Sequence, residues 1–491
     1  MNAFLPVLIL MTSLLPAGVI FFIPQASHTL RNTINIGAAV AKLALVAWML
    51  LAVAGGASYE SVLPLAPGLV LLLRVDALAL LFISLSATLW LLTTIYAIFY
   101  LGNKAELSRF FGFFSLCVAA TTGLALSGSL ISFFLFFELL TLSTWPLVAH
   151  KQDQASLAAA RQYLMFALPA SASLLWAIIW LESYTGPVLF TDPPDLSGIE
   201  PWKLRTIFAL FIAGVGAKAA LVPLHGWLPS AMAAPAPVSA LLHAVAVVKA
   251  GAFGVVRVVF DVFGASDMQA LGVDVPLALL ASFTILWGSW RALDQGEVKK
   301  RLAFSTVSQV SYIVLGAALA GPLAMVGALA HLVHQGLMKI TLFFCAGIYD
   351  ERAGVKKIEG LNGLGQAMPW TSVCFSLGAL GMIGLPPLAG FVSKVYLGLG
   401  AIEVGAPWVV AVLIASTLLN AAYFLPLVYR LWFLPLGEGV EVSAQAESGA
   451  IGLIAPAVVT AAASLGVGLL AASAVSPLGW ASLIVARGYL E

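Results

Sequence analysis

The chain has 491 residues, 61% of them hydrophobic and only 9% charged, with a net charge of +1. A soluble protein carries about 25% charged residues, so this composition excludes a soluble globular class and describes an integral membrane protein. The net charge says nothing about partners, no nucleic-acid partner is expected, and Cys117, Cys345 and Cys374 stand in separate apolar segments without CxxC or zinc spacing, as core residues do.

Apolar runs of roughly 20 residues, enough to cross a bilayer, fall near 3–23, 34–55, 75–100, 110–126, 130–149, 160–184, 205–233, 235–260, 275–291, 302–320, 322–349, 370–398, 405–433 and 450–485. One helix per run predicts an all-α membrane protein of about fourteen spans. The first run, Met1 to Pro24, has no basic segment before it and reads as a retained helix rather than a cleaved signal. The segment 435–449, with Glu438, Glu441 and Glu447, is the most polar stretch and is too short for a domain.

The run at 205–233 is interrupted. It reads Gly214-Val-Gly-Ala-Lys218-Ala-Ala-Leu-Val-Pro223-Leu-His225-Gly-Trp-Leu-Pro229. A proline inside a helix leaves a carbonyl without its partner. In hydrocarbon such a break survives only against protein or a water-filled cavity. A second interrupted run holds Gly384-Leu-Pro386-Pro387-Leu-Ala-Gly390-Phe-Val-Ser-Lys394. Paired Pro/Gly interruptions in two halves of a chain point to an ion path. Five spans separate the breaks, which suggests two inverted five-helix repeats. The expected division is 1–109 for N-terminal helices, 110–260 and 275–433 for the repeats, and 450–491 for a C-terminal helix.

Counting loops along fourteen spans sorts the basic residues. Arg31, Lys104, Arg109, Lys151, Arg161, Arg291, Lys299, Lys300, Arg301, Arg352, Lys356, Lys357 and Arg430 fall on one side; Arg74, Lys203, Arg205, Arg257 and Arg487 fall on the other. The positive-inside bias puts the first side in the cytoplasm and both termini outside. Lys42, Lys218, Lys249, Lys339 and Lys394 remain within spans.

Ionisable groups at membrane depth are functional by default. Glu138 follows Ile131-Ser-Phe-Phe-Leu-Phe-Phe, and Lys218 is its natural partner. Burial penalises both charges and pairing relieves the penalty, so such a pair can switch when a proton arrives. His243 and Lys249 lie six residues apart, on different faces of one helix. His331, Gln335 and Lys339 recur every four residues and form one polar stripe. Histidine titrates near neutral pH, which suits a relay. Lys394 reads as an exit group or an interfacial anchor. The basic and hydroxyl-rich stretch Glu297 to Gln309 reads as an anchor and helix start, with no chemistry assigned to it. No P-loop, metal spacing or haem spacing is present, and Gly214-Val-Gly216 is only a fragment of a dinucleotide fingerprint. No cofactor is expected.

Together, Arg74-Val-Asp-Ala-Leu, Lys218 to Pro229, Ala231-Met-Ala-Ala-Pro-Ala-Pro237, His331 to Gly347 and Leu385 to Lys394 resemble the antiporter-like subunits of Mrp-type cation/proton antiporters, respiratory complex I and membrane-bound hydrogenases. The resemblance covers about residues 70–430. It implies fourteen helices with two inverted five-helix repeats. It also implies proton-path roles for Glu138, Lys218, Lys249 or His243, His331 with Lys339, and Lys394, and helix breaks at Pro223, Pro386 and Pro387. Many members carry a histidine where this chain has Gln335; His334 lies one residue early.

The expected function is proton translocation within a hetero-oligomeric complex of a bacterial or archaeal inner membrane, first as part of an Mrp-type sodium/proton antiporter. Redox-driven pumping beside quinone- or hydrogen-linked subunits is the alternative, and a non-transporting scaffold the second. Expected partners are other membrane subunits, protons, Na+ in the exchange reading, and lipid.

Overall fold

With no water to satisfy the backbone, uncharged apolar segments fold as helices in lipid. The computed structural model describes residues 4–66, 69–437, 447 and 449–488. The first part comprises α1 (Leu5–Phe21), α2 (His28–Ala54), strands β1 (Tyr59–Ala66) and β2 (Leu69–Val75), α3 (Ala77–Leu101), α4 (Leu107–Leu126), α5 (Leu130–Val148), α6 (Gln154–Thr185) and α7 (Pro201–Lys218). The middle holds α8 (Trp227–Ser230), α9 (Ala236–Ala244), α10 (Val247–Arg257), α11 (Ala265–Leu271), α12 (Asp274–Leu293), α13 (Val298–Ala318) and α14 (Pro322–Ala353). The last part comprises α15 (Leu364–Ala367), α16 (Pro369–Ile383), α17 (Ala389–Glu403), α18 (Trp408–Phe433), α19 (Ile451–Leu469) and α20 (Pro477–Gly488).

Among the described residues, eight helices are long and apolar enough to cross a membrane: α2 to α6, α14, α18 and α19. The helices outside that set are informative. The apolar runs around α7, α9–α10 and α16–α17 are cut by breaks, and α13 carries Ser305, Thr306, Ser308, Gln309 and Ser311, all of them buried. Lys218, His243, Lys249 and Lys394 lie on these short helices, while Glu138 lies on α5 and His331 and Lys339 on α14.

Three expectations need correction. The chain is not purely helical: β1 and β2 form an antiparallel hairpin with Tyr59 opposite Val75. Its first residues alternate inward and outward at the strand period of two, a signal too short to read as a span. The expected single span 235–260 is two helices: α9 ends at Ala244 and the chain leaves helical geometry at Ala246 before α10 begins. The expected span 450–485 is also two, α19 and α20, with the second starting at Pro477, where proline cannot continue a helix but can begin one. Glu438 and Glu441 lie outside the described residues. Glu447 accepts hydrogen bonds from the Trp370 and Thr371 amides, 3.2 and 2.8 Å, and so caps the start of α16.

α14 is the hub. Its membrane-length window is wholly buried, and it packs against α3, α9, α13, α16, α17, α19 and α20. The charges sorted to one side by sequence gather at one end. Lys104 pairs with Glu351 at 3.2 Å, Arg109 donates to the His150 carbonyl at 2.9 Å, and a cavity of about 380 Å³ is lined by Lys104, Glu106, Arg109, His150 and Lys151. Burial, and then the Arg109 charge, lower His150 to about 4. At the other end, buried Arg257 bridges Asp76 (2.7 Å) and Asp261 (2.8 Å), tying the start of α3 to the end of α10.

Candidate proton path

Lys218 stands in the last turn of α7. Beyond it the chain turns through Ala220, at a φ of 58°, and a cis Val222–Pro223 bond. The freed backbone groups are satisfied locally: Trp227 Nε1 donates to the Ala217 carbonyl (2.8 Å), and the Leu221 amide to Gly216 (2.9 Å). Gly251 of α10 presses on the break. A Cβ there would lie 2.1 Å from the Ala219 nitrogen, so only glycine allows α10 this close.

Lys218 Nζ donates to the carbonyl of Phe137, the residue before Glu138, and lies 3.3 Å from the centre of the Phe137 ring. Glu138 accepts from the Ser171 hydroxyl of α6. The two expected partners thus meet on α5, but they form no ion pair within 4.0 Å among the described residues. Glu138 is half-buried and Lys218 is buried.

The second break lies between α16 and α17 and contains a cis Pro386–Pro387 bond. Lys394 of α17 reaches back to α16, donating to Met382 (3.2 Å) and Ile383 (2.7 Å). These are terminal carbonyls of a broken helix, where a cation interacts well with the helix dipole. Lys394 also lies 5.4 Å from the Tyr312 ring centre. Gly390 fits here for the same reason as Gly251: a Cβ would meet the Gly381 carbonyl at 2.0 Å.

Two polar stripes face each other in the core. α14 contributes His331, Gln335 and Lys339; α13 contributes Ser305, Gln309 and Tyr312. The antiparallel helices match them in order. Lys339 donates to the Ser305 hydroxyl and to the Leu302 carbonyl (3.2 Å), while His331 packs against Tyr312 with ring centres 5.2 Å apart. His331 Nδ1 hydrogen-bonds Ser393, 2.8 Å away and next in sequence to Lys394. Between these anchors, both amide atoms of Gln309 and Gln335 are buried without a hydrogen-bond partner among the described residues. Both ring nitrogens of His334 and His243 are likewise unpartnered. Buried amides without partners are rare in native proteins, and bridging water is the ordinary remedy.

His243 lies in the last turn of α9, with its ring 4.5 Å from that of Phe343 on α14. Lys249 lies across the new break, on α10, and donates to the Leu332 carbonyl of α14 at 2.7 Å. The sequence placed them on different faces of one helix; the structure places them on different helices meeting α14. Sequence reasoning missed Ser305, Gln309 and the Val245–Ala246 break. The first two sat in a stretch taken for an anchor, where a four-residue spacing from Ser305 to Gln309 was the available signal.

A lysine at the bilayer centre costs about 2.5–3.5 kcal/mol. A hydrogen bond between helices in lipid returns about 0.6 kcal/mol. One or two carbonyl contacts therefore do not offset the cost of Lys218, Lys249 or Lys339. Packing stability does not explain these residues.

Residues 127–404 match the family described as NADH:quinone oxidoreductase/Mrp antiporter, transmembrane. The NADH-quinone oxidoreductase subunit N of Desulforudis audaxviator is 38% identical over 359 residues, covering 72% of this chain and 71% of that protein. An Na(+)/H(+) antiporter subunit of Alkalihalophilus pseudofirmus is 33% identical over 363 residues; the match covers 69% of this chain and only 44% of that protein. The fold is similar to that of a chain in the Mrp complex from Dietzia sp. DQ12-45-1b, with a TM-score of 0.86, 24% identity and coverage of 99% and 98% of the two chains.

Proposed function

The chain belongs to the NADH:quinone oxidoreductase/Mrp antiporter transmembrane family, and from that premise we propose that it moves protons as an antiporter-like subunit of a hetero-oligomeric membrane complex. The observation that carries this reading is the pair of facing stripes on α13 and α14, with unpartnered amides between Lys339 and His331. A proton enters near His243 and Lys249, passes through Lys339, Gln335, Gln309 and His331 by way of bridging water, and leaves through Ser393 and Lys394. Glu138 and Lys218 gate the step. When a proton or a neighbouring charge arrives, Lys218 exchanges the Phe137 carbonyl for the Glu138 carboxylate.

In this reading the chain has fourteen spans in two inverted five-helix repeats, 110–260 and 275–433, flanked by 1–109 and 450–491. The membrane is a bacterial or archaeal inner membrane, with both termini on the outer side. The Desulforudis relative, matched over most of its length, supports redox-driven pumping as the energy source. The Alkalihalophilus relative supports a second reading, exchange of sodium for protons, over less than half of that protein.

The test is proton movement in inverted vesicles carrying the intact complex, with and without Lys218→Ala. A sodium-driven pH change lost in the variant supports exchange. Movement that needs an electron donor and is lost in the variant supports the redox pump. Movement unchanged in the variant sinks both and leaves a scaffold.

A further inference from the structure

Lys42 lies outside the path just described. It sits near the middle of α2, fourteen residues after His28 and twelve before Ala54, and it is 0% exposed. Much of α2 lies on the outside of the chain, yet this side chain points inward. Its Nζ donates to Ser13 of α1 at 2.9 Å and to Thr122 of α4, and it lies 5.3 Å from the centre of the Trp90 ring of α3. Each hydroxyl spends its own proton on a carbonyl, Ser13 on Leu10 and Thr122 on Val118. The amine must therefore be the donor to both. A protonated amine has a third N–H, and the Trp90 face is where a cation is favoured. The cradle thus accommodates the charged form without any anion. No carboxylate among the described residues pairs with Lys42.

Two further observations surround this cradle. On α3, Ser86, Trp90 and Thr94 lie four residues apart on one face, and Ser86 Oγ, Trp90 Nε1 and Thr94 Oγ1 are all buried without a hydrogen-bond partner among the described residues. On α4, Ser108, Ser115 and Thr122 recur every seven residues. They meet Arg31 (3.2 Å), Asn35 (3.2 Å) and Lys42 of α2 in turn. Three polar rungs therefore run from the start of α2 to the buried lysine. Two hydrogen bonds between helices do not offset an amine placed this deep, so holding the bundle together does not explain it.

We propose that Lys42 is a second proton-exchanging site, off the central path, in the bundle of α1 to α4. The ammonium releases one proton to water held on the Ser86–Thr94 strip and regains one by the same route, and no other bond changes. The groups facing it are Ser13 from α1, Trp90 from α3 and Thr122 from α4; Arg31 is the only other charged residue on its buried stripe of α2. The proposal goes beyond the central path but shares its premise that the complex moves protons.

The test compares the intact complex carrying Lys42→Gln, Lys42→Arg, Thr122→Val or Lys218→Ala in sealed vesicles, with assembly followed by native gel electrophoresis. Glutamine keeps two N–H donors for Ser13 and Thr122 but exchanges no proton; arginine keeps the charge but does not release it. Both are expected to assemble and to lower the rate of proton movement about tenfold or more, as loss of a proton-transfer group does. Thr122→Val keeps the amine and is expected to displace the pH profile of the rate. A Lys42→Gln complex with wild-type rate and pH profile overturns the proposal. If neither Lys42 variant assembles, an unchanged profile in Thr122→Val overturns it, and a displaced one upholds it. The Lys218→Ala arm reports on the central path separately, so failure of that reading is seen independently of Lys42.

Discussion

The two breaks use one device in two ways. Before the first, Lys218 ends its helix and reaches across to the backbone of α5, next to Glu138. After the second, Lys394 lies early in a new half-helix and turns back onto the end of the old one. The first lysine is held by a neighbouring element, so its contact can be exchanged for the adjacent carboxylate. The second caps its own broken span, and releasing it would uncap the Ile383 carbonyl, while Met382 keeps Asn420 at 3.3 Å. The first break is suited to gating. The second holds its lysine on the end of its own broken span, beside Ser393, where the proposed path would end.

The largest expected effect tests the gate. Lys218→Ala or Glu138→Ala should lower the initial rate of proton movement about a hundredfold or more, within the range for lost proton-transfer groups. A rate near wild type for both would break the comparison. Next comes the stretch between the breaks. Gln309→Leu should slow transport about tenfold, because it removes a hydrogen-bonding group without removing a titratable one. Retention of the rate would show that water bridges α13 and α14 elsewhere.

Gly251→Ala addresses the geometry of the first break. Its Cβ would collide with the backbone of Ala219, so a loss of about 1–3 kcal/mol in stability is expected. Gly466→Ala, with nothing within 4 Å of the added carbon, is the neutral control. Thermal unfolding in detergent separates them. Lys394→Met should cost about 1 kcal/mol as a lost helix-end cation, and Lys394→Arg should retain that stability. Equal transport loss in both would show that Lys394 exchanges protons as well as capping α16.

A pH-dependent effect lies at the charged end. Burial lowers His150 from 6.5 to about 4, so between those values the folded chain binds fewer protons than the unfolded one. The stability it contributes is complete above about pH 6.5, falls as the pH drops, and levels off below about pH 4. His150→Gln should flatten that part of a melting-temperature profile.

By itself the sequence determined the membrane class, the two proline breaks and the titratable groups at depth. These are written in composition and in single residues whose cost in lipid is large: proline cannot hide its missing N–H, nor a lysine its charge. His331, Gln335 and Lys339 were legible as a stripe because four-residue spacing fixes a helix face. Other features depended on neighbours. No local pattern marks the break between His243 and Lys249, which forms where α9 packs on α14 and Lys249 of α10 reaches the Leu332 carbonyl. Ser305 and Gln309 read as a polar helix start until α14 was laid beside them. The Glu138–Lys218 pairing followed from charge alone, whereas packing placed the lysine on the Phe137 carbonyl and the glutamate on Ser171. Which polar atoms find a partner and which need water is a property of facing surfaces, and only the assembled helices decide it.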